Sequence, residues 1–130
     1  IQAKWRITPS QENGCNVAST LGTVHEKNVG NSPYLVGILT CNSAAGAIHI
    51  NVTRHNPKDE KSFNSWGVAF ERQMGSITPH IEAFGDQGQK ASVQMGAKTE
   101  IAPGLQLDAT IGRDRQNRAN VFSLGVKQAF

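Results

Sequence analysis

The sequence predicts an all-β protein, an antiparallel up-and-down meander closing into a small barrel of about eight to ten strands. Three observations carry this. Turn-forming clusters recur about every 12 residues along the chain, as in a series of hairpins. Between them, apolar and polar residues alternate with the period of two that a sheet with unlike faces requires. No segment combines helical spacing with a capping residue at its start.

In order, the strand-like segments are residues 1–8, 15–25, 34–42, 46–55, 63–74, 77–86, 90–101, 105–113 and 120–130. The separators hold Thr8-Pro9-Ser10, Glu12-Asn13-Gly14, Asn28-Val29-Gly30-Asn31, Asn56-Pro57-Lys58-Asp59, Gly85-Asp86-Gln87-Gly88, Pro103-Gly104 and Asp114 to Asn117. Glycine and asparagine supply positive φ there, and proline supplies a fixed φ, so each can reverse the chain. Alternation is plainest in the second half. Phe122, Leu124, Val126 and Phe130 oppose Ser123, Gly125, Lys127 and Ala129. Leu105, Leu107, Ala109 and Ile111 oppose Gln106, Asp108, Thr110 and Gly112, and Val93, Met95, Ala97 and Ile101 oppose Ser92, Gln94, Lys98 and Glu100. Earlier, Ile48, Ile50 and Val52 oppose His49, Asn51 and Thr53. A meander of this width is expected to close, because closure removes exposed edges.

The 130 residues make one domain, 1–130. With 18% charged and 38% hydrophobic residues the chain is too apolar for disorder. The net charge of +3 does not gather into a basic face, since Asp114 interrupts the densest group, Arg113, Arg115 and Arg118. A nucleic-acid partner is therefore not expected. No apolar run reaches the roughly 20 residues of a transmembrane helix. Strand-like sequence begins at Ile1 with no charged-then-apolar leader before it, so an exported protein has already lost its signal. The chain also suits the C-terminal part of a larger barrel.

Cys15 and Cys41 stand near the ends of neighbouring segments. The sharper reading is a disulfide, which belongs to an oxidising compartment; the alternative is two separate buried thiols. His25, His49, His55 and His80 lie on different segments with no ligand spacing, so neither a metal nor another cofactor is expected. Asn51-Val52-Thr53 matches the glycosylation sequon, a pattern short enough to arise by chance. His80, Asp108 and Ser123 offer a nominal triad without a nucleophile-elbow sequence, and Glu71 and Glu82 a nominal carboxylate pair. The expectation is that the protein is not an enzyme.

Alternation leaves open which face points inward. Apolar side inward gives a soluble barrel with a packed core; apolar side outward gives a membrane barrel with a polar lumen. Short connections (Gly75-Ser76, Ala102 to Gly104, Ser43 to Gly46) alternate with longer polar ones (54–62, 86–90, 113–119), as when one rim faces the periplasm. The polar face would gather Lys4, Arg6, Glu71, His80, Glu82, Lys98, Glu100, Asp108 and Lys127. Glu71, Glu82, Lys98, Asp108 and Lys127 are the candidate lumen charges, able to pair across a narrow interior. The alternative for the same residues is a solvated face of a soluble sheet.

Residues 66–130 resemble the final strands of Gram-negative outer-membrane β-barrels. The resemblance rests on WGVAFERQMG–SITPHIEAFG, on VQMGAKTEIAPGLQLDATIGR with its Pro-Gly turn and Leu-x-Leu-Asp strand, and on NVFSLGVKQAF with its terminal phenylalanine. It implies that Phe122, Leu124, Val126 and Phe130 form the signal read by the barrel-insertion machinery, with Gln128 departing from the usual apolar or aromatic residue. It implies as partners that machinery and the lipid bilayer, and as location the bacterial outer membrane. Aromatic residues make up only 6% of the chain, few for interfacial girdles, and nine segments is odd where such barrels have an even number.

The function expected on this reading is a small, porin-like outer-membrane barrel protein with a passive pore, structural or surface role. The alternative is a secreted, extracellular β-protein that binds a partner or self-associates into filaments through open edges. The stretch Lys27 to Asn31, the terminal Phe130 and the basic balance are similar to glycine-rich insect antimicrobial proteins of the gloverin and attacin kind, from which the two cysteines depart.

Overall fold

The computed structural model describes residues 1–9, 11–26, 30–58 and 60–128, apart from the side chain of Glu26. It contains nine strands: β1 (Gln2–Arg6), β2 (Gly14–Glu26), β3 (Gly30–Ser43), β4 (Gly46–His55), β5 (Phe63–Glu71), β6 (Ile77–Asp86), β7 (Ser92–Ala102), β8 (Leu105–Asp114) and β9 (Ala119–Gln128). They form one sheet in the order β1 to β9, every neighbour antiparallel. The all-β meander is as the alternation predicts. Phe130 and the Lys27 to Val29 part of the gloverin-like stretch lie outside the described residues.

Closure does not follow. Among the described residues β1 and β9 are the edges of an open sheet and do not pair with each other. Strand parity supplies the reason. In an up-and-down meander direction reverses at every turn, so the first and ninth strands run the same way. Joining them would require a parallel ladder in an otherwise antiparallel sheet, whose pairing is slightly weaker per residue. β1 also has only five residues against ten in β9, so a β1–β9 seam would leave half of β9 unpaired.

Two prolines show how local chemistry sets the strand limits. Pro33 lies within β3, opposite Thr23, although proline removes a ladder donor. Its carbonyl accepts from Asn56 N, just past the last β3–β4 partner pair, Tyr34–His55. The missing N–H therefore faces the side where the ladder has ended, and β3 begins four residues earlier than the turn signals suggest. Pro79 repeats the device: its carbonyl accepts from Arg72 N beyond the final β5–β6 pair, Glu71–His80. β5 stops at Glu71, and pairing resumes only at the Met74–Ile77 bridge around Gly75, whose φ is +64°.

The two faces are unlike throughout. On one, Trp5, Val17, Leu21, Leu35, Ile48, Val52, Val68, Phe70, Ile81, Met95 and Ile111 follow one another across the registers and are all exposed. On the other, residues such as Asn51, His49, Ser65, Glu82 and Gln94 are half-buried, and Thr20 and Thr110 are only 6% and 9% exposed. The polar face is thus the sheltered side. Among the described residues no hydrophobic side chain is buried, so the sheet has no apolar core.

Candidate functional site

The site is built on the sheltered face, where the register decides which side chains meet. Glu71 is opposite His80, which is opposite Gly96, which is opposite Thr110, which is opposite Ser123. Lys98 is flanked by Thr78 and Asp108, and Asp108 by Gly125. Glu82 pairs with Gln94, and Lys127 with Gln106. Period two therefore puts Glu71, Glu82, Lys98, Asp108 and Lys127 on one face of one sheet.

Two of the five bind each other. Lys98 Nζ donates to Glu71 Oε2 at 2.5 Å, reaching over β6. Glu71 Oε1 lies 3.6 Å from His49 Nε2, and the other ring nitrogen of His49 is 3.1 Å from Thr40 Oγ1. A polar chain, Thr40–His49–Glu71–Lys98, thus crosses from β3 to β7. Glu82 accepts from Gln94 Nε2 at 2.6 Å on neighbouring strands. Thr110 and Ser123 share a hydroxyl hydrogen bond. Among the described residues Asp108 and Lys127 make no ion pair.

Small residues make room for this layer. A Cβ on Gly96 would collide with the Ala109 carbonyl and the Thr110 methyl, and would lie 2.9 Å from His80 Nε2. Gly67 is buried in the same layer beside Glu82 and Phe84. A cleft of about 740 Å³ opens at the short-turn end, lined by Glu12, Asn42, Glu71, Arg72 and Lys98 among others. Its polar, open lining suits water and ions.

At the opposite end, beside the longer loops, three rings stand in one row that sequence reading did not single out. Tyr34, His55 and Phe63 are register partners on β3, β4 and β5. His55 stacks on Phe63 with centroids 4.5 Å apart and planes at 13°, and Tyr34 lies 6.5 Å from His55. Tyr34 Oη donates to Gln2 Oε1 at 2.8 Å, and His55 Nε2 is 2.8 Å from Ser65 Oγ. The available signal was positional: Tyr34 opens one segment, His55 closes the next and Phe63 opens the third.

The exposed face carries the remaining predicted residues. Cys15 and Cys41 are direct partners on β2 and β3, with Cα atoms 4.0 Å apart, and form a disulfide. Phe122, Leu124 and Val126 line one side of β9 and are 67%, 73% and 71% exposed. Among the described strand residues, charge on that face stands at the long-loop ends, as at Arg54, which donates to Asn64 Oδ1 at 3.2 Å, and at Arg113, opposite Asn120. Compared with protein families, with curated proteins and with solved structures, the chain matches none.

Proposed function

We propose that this sheet is wall of a bacterial outer-membrane β-barrel, with the exposed apolar face against lipid and the sheltered polar face against a water-filled lumen. One observation carries the reading: the apolar face runs across all nine strands with nothing covering it, while the polar face is the protected one. Soluble monomers rarely expose a contiguous apolar patch beyond about 300–600 Å². The strand lengths support the same reading. Five of the strands, β4, β5, β6, β8 and β9, have nine or ten residues, and β7 has eleven, matching the roughly 9–11 residues of a tilted membrane-spanning strand. The Cys15–Cys41 disulfide accords with an envelope location.

In this role the protein is passive. The charges of the polar face set which solutes enter, and the longer loops meet the outside. The free edges of β1 and β9 are paired by strand outside the described sheet, and exposed Phe122, Leu124 and Val126 on β9 are what the insertion machinery reads. The test is to express the full chain, fractionate the envelope, and compare heated with unheated samples by electrophoresis. Retention in the outer membrane until detergent is added, with heat-modifiable migration, is the expected result. A soluble, monodisperse protein would overturn the reading. The two open edges also favour a second reading, edge-to-edge filaments, which would sediment without lipid and show as fibres.

A further inference from the structure

The Tyr34–His55–Phe63 row breaks the polarity of its own face. It presents three rings in succession, which no other register row on the sheltered side does among the described residues. The rings are held before any ligand arrives, Tyr34 by Gln2 and His55 by Ser65. They line a hollow of about 570 Å³ together with Val24, Val36 and Glu60. That is the size range of small-molecule sites, mostly apolar with a few placed polar groups.

A second hollow, of about 490 Å³, shares Thr53, His55 and Phe63 with the first and adds Phe84, Glu82 and Asp86. The two therefore form one groove across β2 to β6. Its charges are all of one sign. Glu60, Glu82 and Asp86 line it, and no lysine or arginine does among the described residues. His55 and Phe63 cover each other's inner faces, so a cation meets the outer faces of the row. Ring faces attract cations through their quadrupole, and carboxylates at the margins add a longer-ranged attraction. An anion meets repulsion there, and a neutral molecule gains only apolar burial.

We infer that this groove binds a small organic cation with an apolar body, of the aromatic or quaternary ammonium class, seated on the Tyr34–His55–Phe63 rings with its charge toward the carboxylates. Hydrogen-bond donors are not needed for such a guest, and two of those in the groove, Tyr34 and His55, are already engaged by Gln2 and Ser65. The site uses one side of five adjacent strands, so it stands whether that side faces a lumen or a solvent.

The experiment is calorimetric titration of the full-length folded protein with three probes: benzyltrimethylammonium, benzyl alcohol and benzoate. The cation is expected to bind about tenfold more tightly than the alcohol, and benzoate more weakly still. Phe63→Leu, which keeps an apolar side chain but loses the ring, weakens the cation about fivefold. Glu60→Gln, on an exposed residue with no hydrogen bond among the described residues, weakens the cation more than it weakens benzyl alcohol. Ile111→Leu, on the other face, changes neither. Equal affinity for the three probes, no binding of any of them, or cation binding untouched by Phe63→Leu overturns the inference.

Discussion

Glu71 and Lys98 meet at 2.5 Å although their strands do not pair, because β6 runs between them. The contact needs both side chains to lean over Thr78 and His80, which the bare Gly96 beside His80 allows. Both partners remain partly exposed, at 27%, so solvent screens the pair. A double-mutant cycle with Glu71→Gln and Lys98→Met should give a coupling of about 0.5–1 kcal/mol, falling as salt rises. Urea unfolding in detergent at low and high ionic strength measures it. Zero coupling at low salt would show that the contact contributes nothing to the fold.

A charge placed in the middle of the apolar face separates lipid from water as its surroundings. Val68 lies there between Ile50 and Ala83, 40% exposed. In a bilayer Val68→Lys should cost about 2–4 kcal/mol, whereas on a water-facing surface it would stay within about 0.5 kcal/mol. Equilibrium folding into vesicles reads the difference. A near-neutral result would remove the lipid-facing assignment.

Glycines of the sheltered face should divide into required and replaceable ones. A Cβ at Gly96 collides with backbone and side chain, while at Gly125 its nearest neighbour is Asp108 Cβ at 3.6 Å. Gly96→Ala should therefore destabilise by about 1–3 kcal/mol. Gly125→Ala should be neutral or stabilise by up to about 1 kcal/mol through the unfolded chain. Parallel melting curves test the contrast; equal losses would contradict it.

The β8–β9 turn holds a residue in an unfavourable conformation. Arg118 has φ of +55°, in the left-handed region, at the end of a turn in which Asp114 accepts from Gln116 N and Asn117 N. Arg118→Gly should raise stability by about 0.5–1 kcal/mol, since glycine adopts that region without a Cβ penalty. An unchanged or lower melting temperature would count against it.

Breaking the cross-strand disulfide is expected to cost about 3.5 kcal/mol in the chain-entropy view, for a loop of 26 residues. Reduced wild type and the Cys15→Ser/Cys41→Ser double variant should melt at the same, lower temperature. Divergence between them would point to an effect of the serines themselves.

Most of the strands were legible because alternation reports which face a residue joins, and that information is local. Residues 46–55, 77–86 and 105–113 become strands almost residue for residue. What alternation cannot carry is the offset between strands. The meeting of Glu71 with Lys98, and the alignment of Tyr34, His55 and Phe63, depend on the summed registers of several hairpins. The start of β3 was hidden for a different reason. Pro33 reads as a breaker, and only the absence of a β4 partner beyond Asn56 makes it compatible with a strand. Closure is not legible in local alternation, because it depends on strand parity and on the length of β1, which are properties of the whole sheet.

Every ladder in this sheet joins strands adjacent in the chain, so each hairpin depends on the previous one and on no distant segment. Such a topology has low contact order, and loop-closure entropy is met in small increments as the sheet zips from turn to turn. It follows that width is the easiest property of this architecture to alter. Inserting or deleting one hairpin would leave all other pairings in register and change only the width of the polar face that the sheet presents.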